Sequence, residues 1–168
     1  MDDEAPTNAG EGTPAETPDR IADAQSPPVP DDGAAGLLHH VELYASDFEA
    51  SVSFWEWFLG ELGYEEYQRW PDGRSWKRGP TYIVLVRAPE DYADEAYHRR
   101  RPGLNHLAFH AASRSQVDEL TRKLRERGAT ILYEDDHPHA GGPDHYAVYV
   151  EDPERIKVEV VAPEATDR

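Results

Sequence analysis

Three side chains able to ligate a divalent cation fall on strand-like stretches of this sequence. They are His40 in Leu38-His-His-Val-Glu-Leu-Tyr-Ala45, His106 in Leu104-Asn-His-Leu-Ala-Phe-His-Ala111, and Glu159 in Ile156-Lys-Val-Glu-Val-Val-Ala162. Side chains alternate across a strand, so His40 projects opposite to Val41 and Leu43, His106 opposite to Leu107 and Phe109, and Glu159 opposite to Val158 and Val160. If helices cover the aliphatic sides, the two imidazoles and the carboxylate lie on uncovered faces. Two imidazoles and one carboxylate make a facial ligand set for a divalent metal, with positions left for substrate or oxygen. The ordinary alternatives are hydrogen-bonded strand histidines and a solvated Lys157–Glu159 ion pair. A further group, His137, His139 and His145, lies in or beside the Gly-rich stretch 137–145, which could fold over such a site. An imidazole titrates near neutrality and suits general acid or base work. Of the three, His145, read as the first residue of a strand, is the candidate proton carrier, and His137 and His139 are expected to face water.

The elements that must position these groups come in two copies, because the first two stretches align at an offset of 66 residues. Each is followed by a helix. Ser46 with Glu49 forms a capping-box pattern ahead of Val52, Trp55, Phe58, Leu59 and Leu62, and Ser113 with Gln116 forms another ahead of Val117, Leu120 and Leu124. Gly63 and Gly128 then stop the helices. Strands are expected at 64–70, 74–78 and 81–87 in the first copy, and at 130–134, 145–150 and 156–162 in the second. The unit is β-α-β-β-β, twice, an α+β fold. The organisation expected is a disordered acidic tail at 1–35, a folded domain at 36–163 (module one about 36–89, linker about 90–102, module two about 103–163) and a short tail at 164–168.

Composition limits the chemistry. The chain has 168 residues, no cysteine, and 34 Asp and Glu against 17 Lys and Arg, for a net charge of −17. Thiolate nucleophiles and Cys-based metal sites are excluded. So acidic a surface repels phosphate backbones and anionic headgroups, so no nucleic acid and no membrane is expected as a partner. The one basic cluster, His98 to Arg101, is expected to pair with neighbouring acids. No apolar run approaches the ~20 residues of a membrane helix, and the N-terminus lacks a secretory pattern, so a cytoplasmic location is expected. Residues 1–35 hold six of the 14 prolines and nine acids against the single base Arg20, a composition unable to offset its ordering entropy. All but three of the basic residues are arginine, and with the acid excess this points to a halophilic, salt-rich cytoplasm.

The residues resemble the vicinal-oxygen-chelate superfamily of glyoxalases, bleomycin-resistance proteins and extradiol dioxygenases. The resemblance spans 36–163 and is carried by His40-Val-Glu-Leu, by the helix ending Leu59-Gly-Glu-Leu-Gly-Tyr64, by Gly103-Leu-Asn-His106-Leu-Ala-Phe, and by Asp152-Pro153 with Glu159 six residues after the proline. It implies two βαβββ modules forming a cup-shaped mixed sheet, a homodimer, a small-molecule substrate with adjacent oxygens, and one divalent metal on His40, His106 and Glu159. Lactoylglutathione lyase members carry a fourth, carboxylate ligand in module one. Counting back from Pro89 as from Pro163 places Leu85 there, with no acid available. Three ligands resemble extradiol dioxygenases and fosfomycin-modifying transferases. Val148-Tyr149-Val-Glu-Asp152-Pro153 through Glu159 is similar to the extradiol signature, in which Tyr149 would lie near the substrate. Arg155 stands at its usual Gly or Pro, and neither His139 nor His145 has its histidine spacing. The leading reading is a ring-cleaving extradiol-type dioxygenase using Fe(II) or Mn(II), with Zn, Ni or Mg as alternative metals. The others are a glyoxalase-like lyase, isomerase or thiol transferase using the metal as Lewis acid, and a non-catalytic bleomycin-resistance-type binding protein.

The charge balance makes a prediction of its own. Like charges crowd together on folding, and raising salt from ~0.01 M to ~1 M shrinks the Debye length from ~30 Å to ~3 Å. The unfolding midpoint is expected to rise steadily across a potassium chloride series, beginning below salting-out concentrations. A midpoint that does not move would show that repulsion is not limiting.

Overall fold

The computed structural model describes residues 36–94 and 97–164. The expected tail at 1–35 and residues 165–168 lie outside them. The first module runs β1 (His40–Ala45), α1 (Phe48–Glu61), β2 (Glu65–Trp70), β3 (Gly73–Arg78) and β4 (Thr81–Arg87). The second runs β5 (His106–His110), α2 (Arg114–Glu126), β6 (Ile131–Leu132), β7 (Ala147–Glu151) and β8 (Lys157–Val161). Each module makes its own four-stranded mixed sheet, in the orders β1-β4-β3-β2 and β5-β8-β7-β6, with the parallel pair at β1/β4 and β5/β8. The expected βαβββ repeat is therefore present.

Local chemistry explains most element ends and corrects three. Gly63 and Gly128 take positive φ, +80° and +70°, directly after the helices, where a side chain would be strained. Ser113 caps α2 as expected, its hydroxyl accepting from Gln116 N at 3.2 Å while the Gln116 amide oxygen accepts from Ala112 N at 2.7 Å. At α1 the cap falls one residue later than the sequence suggests. Asp47 accepts from Ala50 N, because the Ser46 hydroxyl donates instead to Glu154 at 2.8 Å. A tertiary contact has displaced the local one. In module two, β6 is only two residues long, since Tyr133 turns into the left-handed region (φ 58°, ψ 40°) and ends the ladder. His145 precedes β7 rather than starting it, its N–H donating to Gly142 O.

The covered faces of both sheets meet in one core. Trp55, Phe58 and Leu59 of α1 and Val117, Leu120 and Leu124 of α2 pack with Leu43, Ile83, Leu85, Val158 and Val160. Phe109 of β5 sits against α1, 5.9 Å from Phe58 and 6.5 Å from Trp55 between ring centroids. Burying each such side chain contributes about 2–3 kcal/mol. One hydrogen bond ties the modules polarly inside this core: the Trp55 indole N–H donates to Asp152 Oδ2 at 3.0 Å, and Ile156 N donates to Asp152 Oδ1 at 2.7 Å.

Asp152 is 4% exposed, and burial pushes its carboxyl up to about 7 against the opposing pull of those donors, with Glu154 adding to the rise. Its folded value lies above the ~3.9 of an unfolded aspartate, so the folded chain binds the extra proton and stability falls as pH rises through that interval. Unfolding free energy is expected to decline between about pH 4 and pH 7 by up to about 1.4 kcal/mol per unit, and Asp152→Asn to flatten this slope. Denaturant titrations of both proteins at pH 5 and pH 8 check it. An equal slope in the variant would assign the titration elsewhere.

Candidate functional site

β8 is an inner strand, paired on one side with β5 and on the other with β7. Val158 and Val160 are fully buried against the helices, which turns Lys157 and Glu159 to the opposite face. The register sets Glu159 between Ala108 of β5 and Tyr149 of β7. Ala108 is small, so His106, two residues before it on the same face, reaches across. His106 Nε2 lies 3.1 Å from Glu159 Oε2, and His145 Nε2 lies 2.5 Å from Glu159 Oε1. The Tyr149 hydroxyl donates to the same carboxylate, and burial with the Glu159 charge pushes that phenol up to about 12. Glu159 itself is 4% exposed. Among the sequence candidates, His106, Glu159, Tyr149 and His145 are thus brought together.

His40 is elsewhere. It stands on β1, stacked on Tyr82 at 4.8 Å with its Nδ1 2.9 Å from that of His39. The two imidazoles at Glu159 flank its separate oxygens, and among the described residues no three His, Asp or Glu side chains converge as a metal group. The ladders also correct the module-one counterpart of Glu159. His40 pairs with Tyr82 as His106 pairs with Lys157, which makes Val84, and not Leu85, the equivalent of Glu159. Pro89 follows Val84 by five positions whereas Pro163 follows Glu159 by four, because β4 runs one residue further past the matched position, so counting from the prolines slips by one. Val84 is 2% exposed and apolar, so a fourth carboxylate is absent there either way.

The donor chemistry at Glu159 fits a cation. The Asn105 side-chain carbonyl accepts from His106 Nδ1 at 2.7 Å, and the Asn105 amide donates to Arg99 O at 3.2 Å. With Nδ1–H held there, a neutral His106 aims its Nε2 lone pair at a carboxylate oxygen. Two lone pairs 3.1 Å apart repel unless a proton or a metal ion lies between them. His106 and Glu159 are the residues that would hold a metal.

Asn105, Lys157 and Gly141 escaped the sequence reading as site residues. Asn105 precedes His106 directly, a signal of ligand support. Lys157, for which a solvated pair with Glu159 was the ordinary alternative, is 9% exposed and makes no ion pair with it. Gly141 shows how tightly the 137–145 loop lies on the site: a Cβ there would come within 2.4 Å of the His145 ring and 2.9 Å of the Tyr149 hydroxyl. His139 is exposed, whereas His137 is half-buried and lowered by that burial and by Arg125. In the basic cluster, Arg99 pairs with Glu151. A cavity of about 720 Å³ runs along β1 past Glu42, Tyr44, Tyr92 and Glu154 and does not include Glu159.

Residues 37–160 match the sequence model of the Glyoxalase/Bleomycin resistance protein/Dioxygenase superfamily. The chain belongs to this superfamily. It is 60% identical over 126 residues to the uncharacterized protein YqjT of Bacillus subtilis (strain 168), covering 75% of this chain and 98% of that one. It is 62% identical to a glyoxalase-like protein of Bacillus halodurans of known crystal structure, with TM-score 0.76 over 77% of this chain and 98% of that one. The fold also matches, at 18% identity and TM-score 0.53 over 76% of this chain and 93% of that one, the fosfomycin resistance protein FosX of Listeria monocytogenes, crystallised with Mn(II) and sulfate. Among the described residues no helix is long and apolar enough to cross a membrane.

Gly141→Ala is expected to keep the secondary structure while breaking the His145–Glu159 contact. Long-range nitrogen–proton NMR spectra should show the His145 ring signals shifting. Signals that stay in place would mean that the loop yields without disturbing the site.

Proposed function

We propose that this superfamily member is a metal-dependent enzyme acting on a small molecule with two adjacent oxygens, and that its reaction is extradiol-type ring cleavage. The observation carrying the metal reading is His106 aimed at Glu159 with its other nitrogen fixed by Asn105. When bound, Fe(II) or Mn(II) would supply Lewis acidity toward the oxygen pair and redox capacity for ring cleavage. The chain's own groups divide the remaining work. Tyr149, whose phenol stays protonated at neutral pH, has one hydroxyl proton, given to Glu159 in the free protein and turned to a substrate oxygen when one is bound. His145, half-exposed at the rim, takes or gives a proton at Nε2. The loop around Gly141 covers both and limits water. A Lewis-acid lyase or thiol-transfer reaction without oxygen is the second reading; it fits the three-ligand set and the Mn(II) found in FosX.

The third ligand in this proposal is His40 of a second copy. Within one chain the two sheets bury their covered faces in a single core, and His40 lies apart from Glu159 on the other sheet. A homodimer that sets β1 of one protomer beside the second sheet of its partner would complete the cup.

Single alanine variants at His40, His106 and Glu159 are each expected to lose most bound metal with the circular dichroism spectrum intact. Mixing His40→Ala with Glu159→Ala protein under exchange conditions should restore about a quarter of the wild-type metal, since half of the dimers then carry one complete site. No recovery on mixing, with the single variants deficient, would place the third ligand within the chain. Undiminished metal in all three would sink the site. Oxygen uptake on a catechol panel separates the two reaction classes.

A further inference from the structure

Lys157 is the only basic side chain among the described residues in the buried class, at 9% exposed, in a chain with twice as many acids as bases. Yet among the described residues no carboxylate lies within 4 Å of its ammonium. The nearby acids are already engaged. Glu151, opposite Lys157 in the ladder, pairs with Arg99 and lies 3.7 Å from Arg155, and Glu159 holds His106 and His145. What surrounds the ammonium is aromatic: the Tyr149 ring at 5.6 Å and the Tyr133 ring at 5.9 Å. Tyr133 is held there at some backbone cost, in the left-handed region that a side chain disfavours, with its ring edge-on to Tyr149 at 5.4 Å. A buried ammonium without a counter-charge is costly. Its persistence beside a strained aromatic wall is what a receptor for an external anion looks like.

Its position says which anion. Lys157 and Glu159 are two residues apart on the same face of β8, so the ammonium side chain springs from a point about 7 Å along the strand from the carboxylate. We propose that Lys157, walled by Tyr133 and Tyr149, is an anion subsite of the Glu159 site, and that the substrate is a small organic acid. Its carboxylate or phosphonate sits at Lys157 while its adjacent oxygens reach His106 and Glu159. This rests on the metal reading for the second half only. The anion half stands on Lys157 itself.

The test uses anions that cannot chelate. Benzoate and propylphosphonate are titrated into the full-length protein with and without added Mn(II), followed by ligand-observed NMR, with benzamide as the neutral control. Wild type is expected to bind one or both anions in preference to benzamide even without metal. Lys157→Met, which keeps the apolar stem, should lose at least about tenfold of that affinity. Lys157→Arg should retain it, and the metal content of both variants should be that of wild type. Which of the two anions binds better assigns the substrate's acid group. Tyr133→Gly, relieved of its strained backbone, should raise the melting temperature while weakening anion binding. Equal binding of anions by wild type and Lys157→Met, or no preference of wild type for anions over benzamide, overturns the subsite. A wild type that takes up no Mn(II) but still binds anions through Lys157 would instead overturn the metal reading and leave the subsite standing.

Discussion

A sheet with helices on one side has a single face to hide, and in this chain both sheets hide theirs in the same place. The core formed by Trp55, Phe58 and Leu59 with Val158, Val160 and the leucines of α2 fixes the orientation of everything else. Once Val158 and Val160 point inward, Glu159 has no choice of side, and neither does Lys157. The same packing gives His40 to one outer face and His106 to another. Of the candidate ligands, His40 alone is kept on a face apart from Glu159, which is why the proposed site calls for a second copy.

The carboxylate at the centre of that site is stabilised by what surrounds it. A glutamate at 4% exposure would be costly without partners, and here it meets the Tyr149 phenol as a donor and two imidazoles that hold a proton or a cation against it. Both imidazoles are fixed from behind: His106 by Asn105, itself held by the Arg99 carbonyl, and His145 by the bare backbone at Gly141. Such backing reduces the freedom that a bound ion would otherwise have to remove.

The repeat, the two helices and the strand faces were legible in the sequence, because hydrophobic periodicity and glycine stops are local signals. His106 and Glu159 followed from alternation along single strands. What could not be read was anything set by a partner distant in the chain. Ser46 looks like a helix cap until Glu154 claims it. Leu85 looks like the partner of Glu159 until the ladder shows that the counterpart is Val84. Lys157 next to a glutamate reads as a surface ion pair, and only burial shows that neither faces water. Tyr133 gives no hint of a left-handed backbone, which the return of the loop toward β7 imposes.

The tie between Trp55 and Asp152 has an optical consequence. An indole that is fully buried and hydrogen-bonded to a carboxyl group titrating near neutrality sits in an environment whose charge changes within the physiological range. Its emission colour and yield should follow that proton, independently of any ligand. The junction between the two modules therefore contains its own fluorescent gauge, readable without a label once Trp57, Trp70 and Trp76 are replaced.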